Sequence, residues 1–566
     1  MFVKTTKANG YTYISIVESY REGKGPSKHR VLYNFGRYDL LKADTGFLNC
    51  VRKLCHLMEI PLLEDRGKAA FQECGEAEMV NYGYLAYARL WENLGMRECL
   101  ENLGRECGLV KMDLERTVLL MAIQHLLRPR SKLSTFEHQG LYCHYPEIPL
   151  PHFYRALDRL SASKEKIEQE LFQRNHLTLG QEVDVVFYDV TTFAFQSVNK
   201  DELKDFGYSK DCKFNEVQVV MGLLLDARGM PIGYELFPGN TFDSRTMVTS
   251  LGNLKRKFNV RRVVIVADRG LNSKGNLGLI RQAGYGYIMA SRLRGMGREI
   301  REKALDEQGY TSVSADFRYK TVPYVNVCTD EGGRTLELPE NLIVSWSSKR
   351  AAKDAADRQR LVLKAKKLLG NPSSIEALSK RGGKKYLKNS ATERARWVMD
   401  EKRAADDAVL DGYYAIQCSE QEMTAAEVMD AYHMLWRIED SFRVMKSTLE
   451  VRPVFHWTPE RIRGHFVMCF LAFMMQRKLE SLLPKPKNDE EPKSPERIRE
   501  ALLSMQLAKV ETNGETLCLK TRNLPLGSEV FKAVGLKVPM NVSREEQLRE
   551  MMGVSPGIYD GQITFC

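Results

Sequence analysis

Apolar residues recur with two different periods along the chain, and the changes between them mark out its elements. Residues 2–7 and 11–18 alternate apolar and polar positions around Asn9-Gly10. This reads as two strands joined by a type I′ turn, with Val31-Leu32-Tyr33-Asn34-Phe35 available as a third. From about residue 78 to 178 the period becomes helical, with segments near 79–95, 109–127 and 151–175 separated by turn clusters such as Arg128-Pro129-Arg130-Ser131. Beyond Gln181 the chain returns to strands. Val183-Asp184-Val185-Val186-Phe187-Tyr188-Asp189 is apolar on both faces, as a central strand covered on both sides should be. Val217 to Leu225 and Met230 to Phe237 flank Asp226-Ala227-Arg228-Gly229 and predict an antiparallel hairpin. After a helix around 244–257, Arg262 to Asp268 and Tyr285 to Ala290 add two more strands.

The stretch from 295 to 410 interrupts this order. It holds β-like pieces, Thr321 to Cys328 and Leu342 to Trp346, and then a helix from Lys349 to Leu369 with ten charges, eight of them basic. Gly382-Gly383-Lys384-Lys385 follows, and Asp411 to Gln417 brings the chain back as a strand. Next comes the helix around which the rest is organised. Thr424-Ala425-Ala426-Glu427 has capping-box form, and Ala431, Met434, Leu435, Ile438, Phe442, Met445 and Leu449 make one apolar stripe before Pro453 forbids continuation. The pattern predicts one helix from about 425 to 451, on the order of 40 Å long. Thr458-Pro459-Glu460 opens another to about Leu483. Pro484 to Pro492 reads as a linker, and a helix near 495–507 with a hairpin at Asn513-Gly514 makes a small C-terminal unit. The expected units are therefore 1–75 (β), 76–178 (helical, a candidate DNA-binding unit), 179–294 and 411–483 (two parts of one core), 295–410 (insertion) and 484–566.

At 566 residues the chain is too long for a single core. Lys and Arg number 84 against 73 Asp and Glu, a net charge of +11 that fits a polyanionic partner. Twelve cysteines contain no Cys-x-x-Cys pair, and neither Cys50 with Cys55-His56 nor Cys143-His144 has zinc-site spacing. Reduced thiols in a cytoplasmic protein are expected. The first residues carry no signal-peptide core, and the longest apolar run, Phe466 to Met475, is too short to span a bilayer, so no membrane association is expected.

Three acids stand out against this background. Asp189 and Asp268 close apolar strands, and Gly270 lets the chain turn away after Asp268. Glu439 lies on the organising helix, with Tyr432 and Lys446 seven residues to either side, so the three fall roughly 20° apart around the axis. Arg443, one turn on, lies beside that line. Each acid alone has a plainer reading: a loop cap for either Asp, a solvated ion-paired face for Glu439. Asp184 and Asp440 read as a strand start and an outward helix position. Together, three converging carboxylates suit Mg²⁺ or Mn²⁺, and two such ions about 3.5–4 Å apart serve in-line displacement at phosphorus.

The spacing Tyr432, Leu435, Glu439, Lys446, with Trp436, Ile438, Asp440 and Phe442 around it and Arg452-Pro453-Val454-Phe455-His456 beyond, resembles the tyrosine-arginine-glutamate-lysine signature of DDE insertion-sequence transposases, the insertion-sequence-four superfamily. Asp189 in Tyr-Asp-Val-Thr-Thr-Phe, Asp268 in Ala-Asp-Arg-Gly, and Phe237 to Asp243 extend the likeness over about 180–480. The resemblance implies an α/β protein whose ribonuclease-H-like core, a mixed five-stranded sheet with helices, is interrupted by a β-rich insertion. It further implies that Asp189, Asp268 and Glu439 are the catalytic ligands of two Mg²⁺ or Mn²⁺ ions, and that Tyr432 and Lys446 contact DNA phosphates. One position departs from the signature. Leu435 stands where its arginine belongs, and Arg443, on the functional face where Arg437 is not, is expected to supply that contact. The implied function is transposition: binding double-stranded terminal inverted repeats, cutting at the ends and joining them to target DNA, by a homodimer on synapsed ends. A metal-dependent nuclease without a joining step and a DNA-binding regulator are the alternatives.

Overall fold

The computed structural model describes the chain except residues 22–26, 59–77, 110–111, 144, 146, 178–184, 208–214, 242, 259–262, 269, 330–333, 371–374, 376–381, 391–396, 450–455, 485–490, 513–514, 545–547 and 549–566. Expectations for Asp184, His144, Arg452 to Phe455, most of the linker after Pro484 and the Asn513-Gly514 turn lie outside the described residues. The chain forms two compact units, Met1–Met79 with Ala508–Leu519 and Met540–Leu548, and Val80–Leu507 with Lys520–Pro539.

In the first unit, β1 (Phe2–Ala8), β2 (Tyr11–Tyr20) and β3 (Lys28–Arg37) form an antiparallel sheet. Asn9 and Gly10 have φ of 51° and 77°, the two left-handed residues that a type I′ turn requires. A helix the alternation does not foretell, Thr45–Leu57, follows, its first amides capped by the Asp44 carboxylate. β4 (Glu78–Asn81) comes next in the chain, where the first unit ends at Met79 and the second begins at Val80.

The second unit is built on one large mixed sheet. Its strands are β5 (Val185–Ala194), β6 (Gln218–Asp226), β7 (Pro231–Pro238), β8 (Val264–Ala267), β9 (Gly286–Ser291), β10 (Thr311–Ser314), β11 (Phe317–Thr329), β12 (Thr335–Ser347) and, after the short pair β13 (Leu387–Asn389) and β14 (Trp397–Met399), β15 (Tyr413–Cys418). Their spatial order is β10-β11-β12-β15-β9-β8-β5-β6-β7. β8 runs parallel to β5 and β9, and the remaining neighbours are antiparallel. The five strands read from the sequence thus form one side of a sheet of nine. The difference has a local cause: β15 pairs with β9 along one edge and with β12 along the other, so the strands of the insertion are zipped onto the core instead of standing apart.

A buried polar network reinforces that junction. Glu340 on β12 is fully buried and accepts hydrogen bonds from Tyr287 of β9, Tyr324 and Asn326 of β11, and Gln417 of β15. Burial, then the adjacent Glu340 charge, pushes both tyrosine hydroxyls up, so they remain donors.

Period-two alternation assigns the faces of the sheet. Val186, Tyr188 and Val190 of β5 and Ile265 and Ala267 of β8 point into one core with Val220, Leu224, Met247, Phe258, Leu277 and Ile280. The helix Pro459–Leu482 covers the other face, with Phe466 edge-on to Phe193 at 5.3 Å and Phe470 against Tyr234 at 5.2 Å. This helix also approaches the helix Leu150–Ala162 so closely that a Cβ on Gly464 would lie 2.0 Å from the Leu157 carbonyl oxygen. No helix among the described residues is long and apolar enough to cross a membrane.

A buried ionic network locks the helical part onto the sheet. Lys257, in the helix Asp243–Phe258, bonds Glu168 at 3.2 Å and Glu235 of β7 at 2.7 Å, while Lys164 bonds Glu168 at 2.9 Å. The second oxygen of Glu168 accepts the Tyr234 amide at 3.1 Å.

In the helix Leu114–Leu127, Glu115 is buried and accepts the Trp91 indole N–H at 2.7 Å. Burial first, and the Asp113 charge second, push its carboxyl up to about 7. A folded-state value above the unfolded one means the unfolded chain releases this proton first. Stability therefore falls as pH rises from about 4.5 to about 7, by an amount on the order of 3 kcal/mol. Glu115→Gln keeps the acceptor and removes the proton, so its urea midpoint is expected to exceed that of wild type at pH 8 and to lose this part of the pH dependence. An unchanged pH profile in the variant would show that Glu115 is not the group responsible.

Candidate active site

Asp189 is the fifth residue of β5 and half-buried. The sequence places it at a strand end. The strand instead runs on to Ala194, because Val190 to Phe193 continue the ladder with Val219 to Gly222 of β6. Asp268 is exposed and directly follows β8. The parallel register pairs Val185 with Val264, Val186 with Ile265 and Phe187 with Val266. Two residues further along each chain, Asp189 and Asp268 stand at the same level on neighbouring strands, where backbones lie roughly 4.8 Å apart. Since Tyr188, Val190, Ile265 and Ala267 enter the core on one face, both aspartates belong to the other.

The organising helix crosses this other face. It is not one continuous α-helix but Ala425–His433, Trp436–Arg443 and a π-helical turn, Val444–Thr448. The capping box at Thr424 and Glu427 is formed. At Met434-Leu435 the bonds tighten to i→i−3, Leu435 N–H to the Tyr432 carbonyl and Ile438 N–H to the Leu435 carbonyl, and at Leu449 they widen to i→i−5. The over-rotation of the first and the under-rotation of the second offset each other. As a result Leu435, Ile438, Phe442, Met445 and Leu449 all remain buried over more than three turns.

The Tyr432 hydroxyl donates to Asp268 Oδ1 at 3.3 Å and accepts from Tyr414 of β15 at 2.8 Å. Burial, then Tyr414 and Asp268, push the Tyr432 phenol up, so it stays protonated and available as a donor. Helix Trp436–Arg443 packs against β5, and Glu439 on it is exposed. The Lys446 ammonium sits 5.8 Å from the centre of the Phe193 ring, which shares a face of β5 with Asp189.

Asp268 and Tyr432 are thus brought into contact, and Asp189 is level with Asp268 on the same face. The three acids do not form one tight cluster: among the described residues the group of three ligating side chains with donor atoms within 4.8 Å of one another is His125, His465 and Cys469. Arg443 projects into solvent and pairs with Asp440. Burial opposes ionisation of Asp440, yet Arg477 at 2.8 Å and Arg443 hold its carboxyl below the usual range. Arg437 turns away, donating to the Ala227 carbonyl at 2.7 Å.

Tyr414 is a site neighbour that sequence reasoning does not reach. Its ring lies under Arg350 at 4.4 Å and borders a cavity of about 600 Å³ lined also by Arg292, Arg294, Arg358 and Lys385. The eight basic residues on Lys349 to Leu369 are the signal in the sequence that points there.

Comparison with known proteins gives the family. The Transposase DDE domain family model matches residues 181–475, half of the chain, and the chain belongs to the DDE transposases. Residues 2–57 also match the model of the IS1634 family transposase, N-terminal domain. It is a DNA transposase, an enzyme that cleaves and transfers phosphodiester bonds, and DDE domains use divalent metal ions in doing so. No curated protein matches the sequence. Among solved structures, the chain is similar to the piggyBac transposase in a cryo-EM synaptic complex with hairpin DNA, with 9% identity and a TM-score of 0.36 over 76% of this chain and 82% of that one. A likeness that remote carries no argument.

Proposed function

We propose that Asp189, Asp268 and Glu439 are the catalytic carboxylates of a ribonuclease-H-like core and hold two Mg²⁺ or Mn²⁺ ions. The observation that carries this reading is the level placement of Asp189 and Asp268 on one face of the sheet, with Tyr432 reaching Asp268 from the helix that bears Glu439. The spatial order β7-β6-β5-β8-β9, with only β6 antiparallel to the other four, supports the core assignment. The donor set is all hard oxygen, suited to Mg²⁺ or Mn²⁺. A two-ion site does not require three carboxylates around one ion. Asp189 and Asp268 would hold one ion, and Glu439, on the helix segment packed against β5, would complete the site for the second.

Bound there, the ions would supply charge for the attacking and leaving oxygens. The residues themselves divide the remaining work. The single Tyr432 O–H proton goes to the Asp268 carboxylate here and would turn to a phosphate oxygen once ions hold that carboxylate, while Lys446, carried above Phe193, adds a cation on the same side. Arg443, freed from Asp440, replaces the signature arginine at Leu435. In the first reaction a water oxygen bonds to phosphorus and the 3′ oxygen leaves as a hydroxyl. In the second that 3′ hydroxyl attacks a target phosphodiester and displaces its 3′ oxygen. Both use one site, on double-stranded terminal repeats and target DNA, in a cytoplasmic homodimer that holds two ends.

The test is incubation of the full chain with Mg²⁺, end-containing DNA and a target plasmid, followed by sequencing of products. New junctions between element 3′ ends and target are expected; nicked ends without any junction would reduce the protein to a nuclease. Lys446→Ala should weaken end binding and lower the slope of log K against log salt by about 1. An unaltered slope would remove Lys446 from the DNA contacts.

A further inference from the structure

The tight cluster of ligating side chains shares no residue with the candidate active site. His465 and Cys469 lie four residues apart on the helix Pro459–Leu482 and so share one face of it. His125 comes from the helix Leu114–Leu127, which packs against it. His125 Nε2 is 3.4 Å and His465 Nε2 3.5 Å from the same Cys469 sulfur, and all three residues are buried. A third imidazole, His456, also buried, sets its ring 5.4 Å from that of His465.

A thiol offers one proton, so it can donate to one of two imidazoles and not to both. The distances fit a different arrangement. Zinc bonds of about 2.3 Å to sulfur and 2.0–2.1 Å to nitrogen, at a tetrahedral angle, place N and S roughly 3.5 Å apart. Lys132 is buried beside this cluster.

We propose that His125, His465 and Cys469 bind a structural transition-metal ion of the zinc class, with His456, whose nitrogens lie outside that group of donor atoms, having to turn toward the ion to complete the shell. One soft thiolate and borderline imidazoles select Zn²⁺ over Mg²⁺, and burial of all four side chains gives a closed site with no open position for substrate. The ion would tie the helix Leu114–Leu127 to the helix Pro459–Leu482. Phe466, the neighbour of His465, packs on Phe193 of β5, so the tie also braces the covered side of the strand that carries Asp189.

Cobalt titration of the chelator-treated full chain, with excess Mg²⁺ present, tests this without reference to DNA chemistry. Saturation at one equivalent is expected, with a thiolate-to-cobalt charge-transfer band and the visible bands of tetrahedral cobalt, both abolished by added Zn²⁺, and a rise in Tm on zinc binding. Cys469→Ser should lose the charge-transfer band, whereas Asp189→Asn should retain it. Absence of the band in the wild-type chain overturns the proposal and leaves the cluster as a metal-free contact of thiol, imidazoles and Lys132. So does a band that survives in Cys469→Ser. Should that variant fail to fold, His125→Gln, which keeps the sulfur, is expected to bind cobalt at least tenfold more weakly, and unchanged affinity there counts against the site.

Discussion

Glu439→Gln and Asp189→Asn each abolish end cleavage, by about 10³-fold or more in single-turnover rate, while DNA-end affinity stays within about twofold of wild type. The reason lies in how little each change alters apart from charge. Glu439 is exposed, so the amide replaces it without cost to packing. Asp189 is half-buried between β6 and β8, where an isosteric amide preserves shape and the backbone ladder on both sides. What is lost is a negative oxygen able to hold a divalent cation against a scissile phosphate; about 4 kcal/mol of barrier corresponds to the predicted 10³-fold. Measuring cleavage of a labelled end and anisotropy of the same DNA separates the two effects. A Glu439→Gln enzyme that cuts at the wild-type rate would remove the helix from the chemistry, and equal loss of binding and cutting would recast both acids as structural.

Lys257→Met carries the largest expected loss of stability, roughly 3–5 kcal/mol. Its ammonium is almost wholly enclosed between Glu168 and Glu235, and the side chain of Glu168 is just as inaccessible, at 2% exposure for each of that pair. Methionine fills the volume but leaves the buried Glu168 carboxylate with Lys164 as its remaining close cation. Because breaking such a pair costs more than replacing it whole, the double variant Lys257→Met with Glu168→Gln should recover most of the loss in urea denaturation. A single variant as stable as wild type would mean that water reaches the cluster and screens it.

The parts of this fold written in local sequence were legible. Asn9-Gly10 specified its turn through two left-handed residues. Asp226-Ala227-Arg228-Gly229 specified another: the Asp226 side chain accepts the Arg228 and Met230 amides and Gly229 takes φ +83°. The apolar runs of β5 and β8 named the central strands, and the stripe through Leu435, Ile438 and Phe442 named the helix that crosses them. What the sequence withheld depends on pairing between distant segments. Nothing near Leu342 or Tyr413 says that β12 and β15 will join, and nothing at Tyr414 foretells a hydroxyl chain through Tyr432 to Asp268. The subdivision at Met434 was hidden as well, because tightening and widening cancel in the spacing of the stripe. His125 and Cys469 lie 344 positions apart, beyond the reach of any spacing rule for ligands.

The double pairing of β15 bears on how this protein can be shortened. A deletion splicing the end of β9 to the start of β15 would strip away β12 and bare a run of unsatisfied amides and carbonyls from Tyr413 to Cys418, immediately before the helix that holds Glu439. The native outer border is blunted by the four-residue β10, whose side chains are all exposed. The pruned protein would instead present a sticky flank beside its own working face, so the segment between the halves of the core is a permanent selvage of the sheet and not a detachable module.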